Sequence, residues 1–288
     1  MDVYYDGSHS VQFGDFRITG EGQSAHIDDS LYVDSWKAFG LIPKQLPVIA
    51  PAPVVKKSVE VYGANSIIDL TEVPRGFPTY QNRTGSLTFY VDGSDKIGAN
   101  GRVEQYFNWA EVYDKITEHL HGFSMKMMLV DDPNNYYYGR FEVDSWNPGS
   151  HANEITINYD LDPYKYSIFT TTEEWLWNPF DFVNGTIPIG RENFVDIDVA
   201  NTPLIQWSTD IIGKMPVVPK FILSGSTNGV DVAIYNSVYN EWSQTVHIQN
   251  GINENVLLEL CTPKVGSFSQ ISLSGDGLLS IDFRPGRL

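Results

Sequence analysis

Asp131 to Tyr166, DDPNNYYYGRFEVDSWNPGSHANEITINYDLDPYKY, decides the fold class of this chain. It opens on Asp131-Asp132-Pro133-Asn134-Asn135, where Pro and Asn favour the backbone angles of a turn. The triplet Tyr136-Tyr137-Tyr138 runs through Gly139-Arg140 into the alternating Phe141-Glu142-Val143-Asp144. After a polar loop, Ile155, Ile157 and Tyr159 alternate with polar residues up to a second turn, Asp162-Pro163-Tyr164. Alternation of this kind marks half-buried strands. Nothing in the stretch resembles catalytic machinery.

The rest of the chain repeats this pattern. Seven Asn-Gly or Asp-Gly steps punctuate it: Asp6-Gly7, Asp92-Gly93, Asn100-Gly101, Asn184-Gly185, Asn228-Gly229, Asn250-Gly251 and Asp276-Gly277. Such pairs suit the positive φ angles of hairpin turns. Between them lie runs such as Ser86–Val91 and Val230–Tyr235. The expected class is therefore mainly β and antiparallel. One segment departs from it. From Arg102 to His121 the apolar positions Val103, Tyr106, Phe107, Ala110, Tyr113, Ile116 and Leu120 recur every three or four residues, with Gly122 as a C-terminal stop. That spacing predicts one amphipathic helix over about 102–121.

Pro43–Pro53, PKQLPVIAPAP, is rich in proline and must be extended, because proline neither donates to a ladder nor sits in a helix interior. It continues into a strand-like run, Val54–Val61. Residues about 43–60, with Pro43, Pro47, Pro51, Pro53 and Val55, are expected to form an arm that reaches a neighbouring chain. A domain boundary is expected near Ser167, before the polar, linker-like Thr170–Glu174. Beyond it only strand and turn patterns appear, so 169–288 is expected to be a β-sandwich.

Composition excludes several functions. With 19 Lys+Arg against 36 Asp+Glu, the formal net charge is −17, so tight nucleic-acid binding through phosphate neutralisation is not expected. One cysteine, Cys261, allows no internal disulfide. The N-terminus lacks a signal-peptide pattern and no apolar run approaches a membrane span, so a soluble chain made in a cytoplasm is expected. The six histidines include no pair at helical metal spacing, and no paired Cys/His motif occurs. No metal or cofactor is predicted. No phosphate loop and no Gly-x-Ser-x-Gly elbow is present. Carboxylates are abundant, which leaves a glycoside hydrolase open as an alternative. Trp175, Trp177, Trp207 and Trp242 are the aromatics that could stack on sugar rings or on a partner, a carbohydrate-binding alternative.

Six features in order also carry a resemblance: Phe39-Gly40-Leu41-Ile42-Pro43; Val61–Thr71; Tyr80-Gln81-Asn82-Arg83 with Leu87-Thr88-Phe89; the helix; the Asp131–Val143 hairpin with Tyr138-Gly139-Arg140; and Asp162–Tyr166. Together, over residues 1–168, they resemble the distal tail protein, a hub component of siphovirus-type bacteriophage tails. Ser66 and Tyr62 stand where that family usually has glycine and proline. The resemblance implies a split-barrel-like N-terminal β domain (1–168) with one flanking α-helix and a galectin-like C-terminal β-sandwich (169–288). It implies a non-enzymatic homo-hexamer that joins the tail tube to the tail-tip or baseplate adsorption apparatus and leaves a channel for DNA. The implied partners are the major tail tube protein, the tape-measure protein and a tail-associated lysin or tail-tip protein, with a receptor-binding protein or host-surface glycan beside them. The implied location is the virion tail tip.

Overall fold

The computed structural model describes residues 7–19, 26–63, 65–73, 76–91, 96–97, 103–105, 109–148, 153–171, 197–208, 212–213, 215–237, 240–262 and 266–288. The fold is mainly β, and the chain divides into two compact units. One comprises residues 1–19, 27–53 and 82–163, the other 20–26, 54–81 and 164–288.

In the first unit an antiparallel sheet runs in the order Tyr32–Asp34, Val11–Gly14, Ser124–Leu129, Asn135–Val143, Asn153–Leu161, Arg83–Val91, Leu41–Pro43. The alternation in the opening stretch becomes register. Phe141 faces Tyr159, Val143 faces Ile157, Ile157 faces Leu87 and Ile155 faces Phe89. All of these are buried in one core with Val11, Phe13, Leu41 and Met127. Burying each such side chain contributes about 1.5–3 kcal/mol. Phe13 and Phe141 meet edge to face at 5.2 Å, the arrangement that ring quadrupoles favour.

Two helices lie against this sheet. The short α1, Ser35–Phe39, has Asp34 as its N-cap: Oδ1 accepts from Trp36 N and Lys37 N, while Oδ2 accepts from Ser10 Oγ at 2.8 Å. Sequence periodicity is blind to a helix of this length, although Asp34 before Ser35 and Gly40 after Phe39 are start and stop signals. The longer α2 spans Trp109–Leu120 and buries Ile116 and Leu120. It is shorter than the predicted 102–121, because Val103–Gln105 pairs with Lys96–Ile97 as a strand. Its C-terminus is tied to the sheet, where His121 Nδ1 accepts from Val143 N and Gly122 N donates to Phe141 O at 2.8 Å.

The second unit contains two sheets with a shared core. A four-stranded sheet runs Ile197–Asp198, Leu278–Asp282, Lys220–Ser224, Gly251–Asn253. A five-stranded sheet runs Leu204–Ser208, Phe268–Gly275, Val230–Asn236, Glu241–Trp242, with Val246–Ile248 also pairing to Val230–Asn236. Phe221, Leu223, Leu279 and Ile281 from one sheet and Trp207, Val232, Ile234 and Ile271 from the other are buried together. This is sandwich packing, with the inward residues of both sheets interdigitating.

The described Asn-Gly and Asp-Gly steps of this unit close no hairpins. Asn228-Gly229, Asn250-Gly251 and Asp276-Gly277 each lie where the chain passes from one sheet to the other. The positive φ persists (Gly229 88°, Gly251 109°, Gly277 116°), but it turns a corner between sheets. The three corners are cross-linked: Asp276 accepts from Ser226 Oγ and from the Thr227 N–H and hydroxyl, while Asn250 and Ser226 exchange two hydrogen bonds.

Candidate interaction surface

Arg83 shows how the Pro-rich segment is held. Its side chain is 4% exposed, a costly place for a charge unless its donors are met. Nε donates to Pro163 O at 2.9 Å and Nη1 to Ala50 O at 3.0 Å, and the guanidinium lies over the Tyr137 ring at 5.5 Å. One side chain thus joins the Asp-Pro turn at the end of the opening stretch to the middle of the Pro-rich run. Ile49 beside it enters the core of the first unit.

The candidate arm is consequently divided. Pro43 ends a sheet strand and is half-buried, Pro47 is buried, and Pro51 and Pro53 are exposed. Up to Pro53 the segment is laid on its own unit rather than projecting from it. Val55 is half-buried, its N–H donating to Thr79 O at 2.8 Å. What stands open is the hairpin that follows. Ser58–Glu60 pairs with Ile67–Asp69, and all six residues are exposed. Val59 faces Ile68 across the pair, and Val61, Tyr62 and Ile67 are exposed at its end, Tyr62 completely. Lys57 and Thr71 clamp its base through the Thr71 hydroxyl, which accepts from Lys57 N at 3.0 Å.

A two-stranded ribbon is marginal in water, and its outer edges offer unpaired N–H and C=O groups. Several β-branched side chains clustered in such a ribbon form a surface that another chain can cover. Proline content shows that a segment is extended but not where the extended chain docks.

Of the tryptophans predicted as contact residues, Trp175 and Trp177 lie outside the described residues. Trp207 is a correction: it is 1% exposed and packs against Phe283 at 5.9 Å, so its ring faces the core and has no surface to offer. Trp242 is 43% exposed and lies 5.3 Å from Tyr235.

Six of the acidic residues sit in local structural contacts. Asp131 pairs with His9 at 2.7 Å, and Asp132 accepts from Asn135 Nδ2 at 2.7 Å. Asp15, Asp69, Glu111 and Asp276 are all held below the usual carboxylate range by donors beside them, respectively Lys126, Thr71, Lys115 and Thr227 first. A general acid needs the opposite shift. Among the described residues, no cluster of three or more His, Cys, Asp or Glu could hold a metal ion, and no helix is long and apolar enough to cross a membrane.

No family model and no curated protein matches the sequence. Two solved structures of the phage p2 baseplate in its activated conformation, with Sr and with Ca, align at 8% and 9% identity over 96% of this chain and 98% of theirs. Their TM-scores of 0.33 and 0.34 are too low to carry an argument. The crystal structure of SPP1 Dit, described as a paradigm of the hub adsorption apparatus in phages infecting Gram-positive bacteria, covers 88% of this chain and 96% of its own at a TM-score of 0.51. At 12% identity that likeness concerns fold alone. The chain has a fold similar to that of the SPP1 Dit protein.

Proposed function

We propose that this protein is a structural hub subunit of a phage tail. Six copies close into a ring that joins the tail tube to the tail-tip adsorption apparatus and leaves a channel for DNA. Residues 1–168 form the ring-building part and 169–288 a galectin-like sandwich. The observation that carries this reading is the exposed apolar hairpin Ser58–Asp69 on a chain with a Dit-like fold. A ring requires a heterologous contact that closes, and a hairpin with free edges can add its strands to a neighbour. The net charge of −17 suits a channel that passes DNA without holding it. The protein performs no catalysis in this role. Its partners are the tail tube protein, the tape-measure protein and a tail-tip lysin or receptor-binding protein. It is made in the bacterial host cytoplasm and ends at the virion tail tip.

Light scattering on the purified chain, with negative-stain imaging, tests the ring. The expected mass is six times 32.4 kDa, and Val59→Glu with Ile68→Lys is expected to return a folded monomer. A monomer at every concentration, or a ring that survives the double substitution, refutes the hairpin contact.

A further inference from the structure

The outer face of the five-stranded sheet differs from the rest of this acidic chain. Gln206 faces Gln270, Gln270 faces Tyr235, and Tyr235 faces Trp242, so four strands contribute one row. Their neighbours Ile205, Ile271 and Ile234 are buried. Alternation therefore projects the row outward, over about 14 Å at the usual strand spacing. That is several sugar rings in length.

The aromatic end is pre-set. The Tyr235 hydroxyl donates to Asn240 Oδ1, and its ring lies 5.3 Å from Trp242 and stacks on Phe268 at 6.4 Å and 16°. Beside Tyr235 the face is floored by Ala233, which leaves it low and open. Neither glutamine side chain makes a hydrogen bond to another described residue. Each amide offers two donors and an acceptor, which matches hydroxyl groups that both donate and accept.

Charge is kept off the row. Asp231 and His247 lie further along the face and pair with each other at 2.8 Å. Glu241, next to Trp242, falls on the opposite side of its strand by alternation. Among the described residues the row offers no free cation to an anionic polymer. Its apolar groups, half-exposed Leu204 and Trp242 with Tyr235 and Phe268, are separated by the two amides rather than joined in the continuous apolar patch a protein partner would cover. A neutral sugar chain fits: the C–H face of a pyranose complements the negative face of an indole, and its hydroxyls complement the amides.

We propose that this face binds a neutral glycan. An uncharged hexopyranose chain lies along the row, one ring stacked on Trp242 and its neighbours hydrogen-bonded to Gln270 and Gln206. The site is independent of ring formation and stands or falls separately from it.

Affinity electrophoresis of the full chain through gels containing dextran, galactomannan or mixed-linkage β-glucan tests this, with polygalacturonate as the charged control. At least one neutral polymer is expected to retard the protein while polygalacturonate does not. Trp242→Ala and the volume-conserving Gln270→Leu are each expected to weaken retardation roughly tenfold, about 1.4 kcal/mol. Glu241→Gln is expected to leave it unchanged, and light scattering should show the same oligomeric state for all three variants. If Trp242→Ala fails to fold, Gln270→Leu decides. Absence of retardation by all three neutral polymers, stronger retardation by polygalacturonate, or wild-type retardation of Gln270→Leu or of a folded Trp242→Ala overturns the proposal.

Discussion

Gly139→Ala is the sharpest test of how the opening stretch packs. Gly139 lies opposite Leu161 in the register of strands Asn135–Val143 and Asn153–Leu161. A Cβ placed there would be 2.1 Å from Asp160 O and 2.6 Å from Leu161 Cα. Both are backbone atoms, so no side-chain rotation relieves the clash, and the strands must part by roughly 1 Å to restore contact distance. The nearby bond from Asp162 N to Tyr138 O, now 2.8 Å, would then exceed hydrogen-bonding range. Losing one such bond costs about 1 kcal/mol, and displacing a packed core costs about 1–3 kcal/mol more. The expected total is about 3 kcal/mol, a fall in Tm of roughly 6–12 °C for a unit of this size. Urea unfolding followed by circular dichroism, with calorimetry beside it, measures the loss. Glu142→Ala, on the same strand but exposed, is the control and is expected to stay within about 0.5 kcal/mol of the parent. A Gly139→Ala variant as stable as the control would refute the close-approach account.

Other expectations follow from single contacts. Arg83→Ala leaves the carbonyls of Pro163 and Ala50 without their donor; a loss of about 3 kcal/mol is expected, with faster proteolysis in 44–53 than in the parent. Asp34→Ala removes the α1 cap and strands Ser10 Oγ, so a loss of about 2 kcal/mol in chemical denaturation is expected. Tyr32 has its phenol pushed up to about 12, by burial first and then by its hydrogen bond to Asp29. Because the folded pKa lies above the unfolded one, this contribution is fully present below about pH 10 and is lost as pH rises toward 12. Tyr80 and Tyr159 are also pushed up by burial, so absorbance titration at alkaline pH should show several late phenols, with one fewer, the latest, in Tyr32→Phe. Asp15 shifts the other way through Lys126 and then Arg17, so its contribution holds above the ordinary carboxylate range and fades as pH falls below it. An Asp15→Asn variant should therefore show shallower acid destabilisation than the parent, a difference that shrinks in high salt.

The strands were legible because period-two alternation is local: Phe141, Val143, Ile155, Ile157 and Tyr159 declare one buried face without knowledge of any partner. The α2 helix was legible for the same reason, though its start was not. Val103 fits the helical stripe, and only the pairing of Val103 and Gln105 with Ile97 and Lys96 makes this segment strand. The glycine steps at Gly7, Gly229, Gly251 and Gly277 take the positive φ expected, while Asp92-Gly93, Asn100-Gly101 and Asn184-Gly185 lie outside the described residues. The same backbone angle serves a hairpin or a sheet-to-sheet corner.

The candidate surfaces were less legible. Trp207 and Trp242 look alike as aromatics in β-rich sequence, but pairing turns one into the core and leaves the other on the outer face. The glutamine row came from no motif, since Gln206, Gln270 and Tyr235 are brought together by three strands far apart in the chain. The Pro-rich run had to be extended. That it is fastened down by Arg83, leaving the hairpin after it open, depends on a contact spanning 33 residues.

By itself the sequence determined what each short segment can be: alternating strand, amphipathic helix, proline-stiffened extension, left-handed turn. Those properties follow from sterics and side-chain polarity over a few residues. Only the tertiary structure decided which strands pair, which face of each is covered, and so which residues remain for a partner. Such choices are made by hydrogen-bond register and core packing between segments distant in the chain.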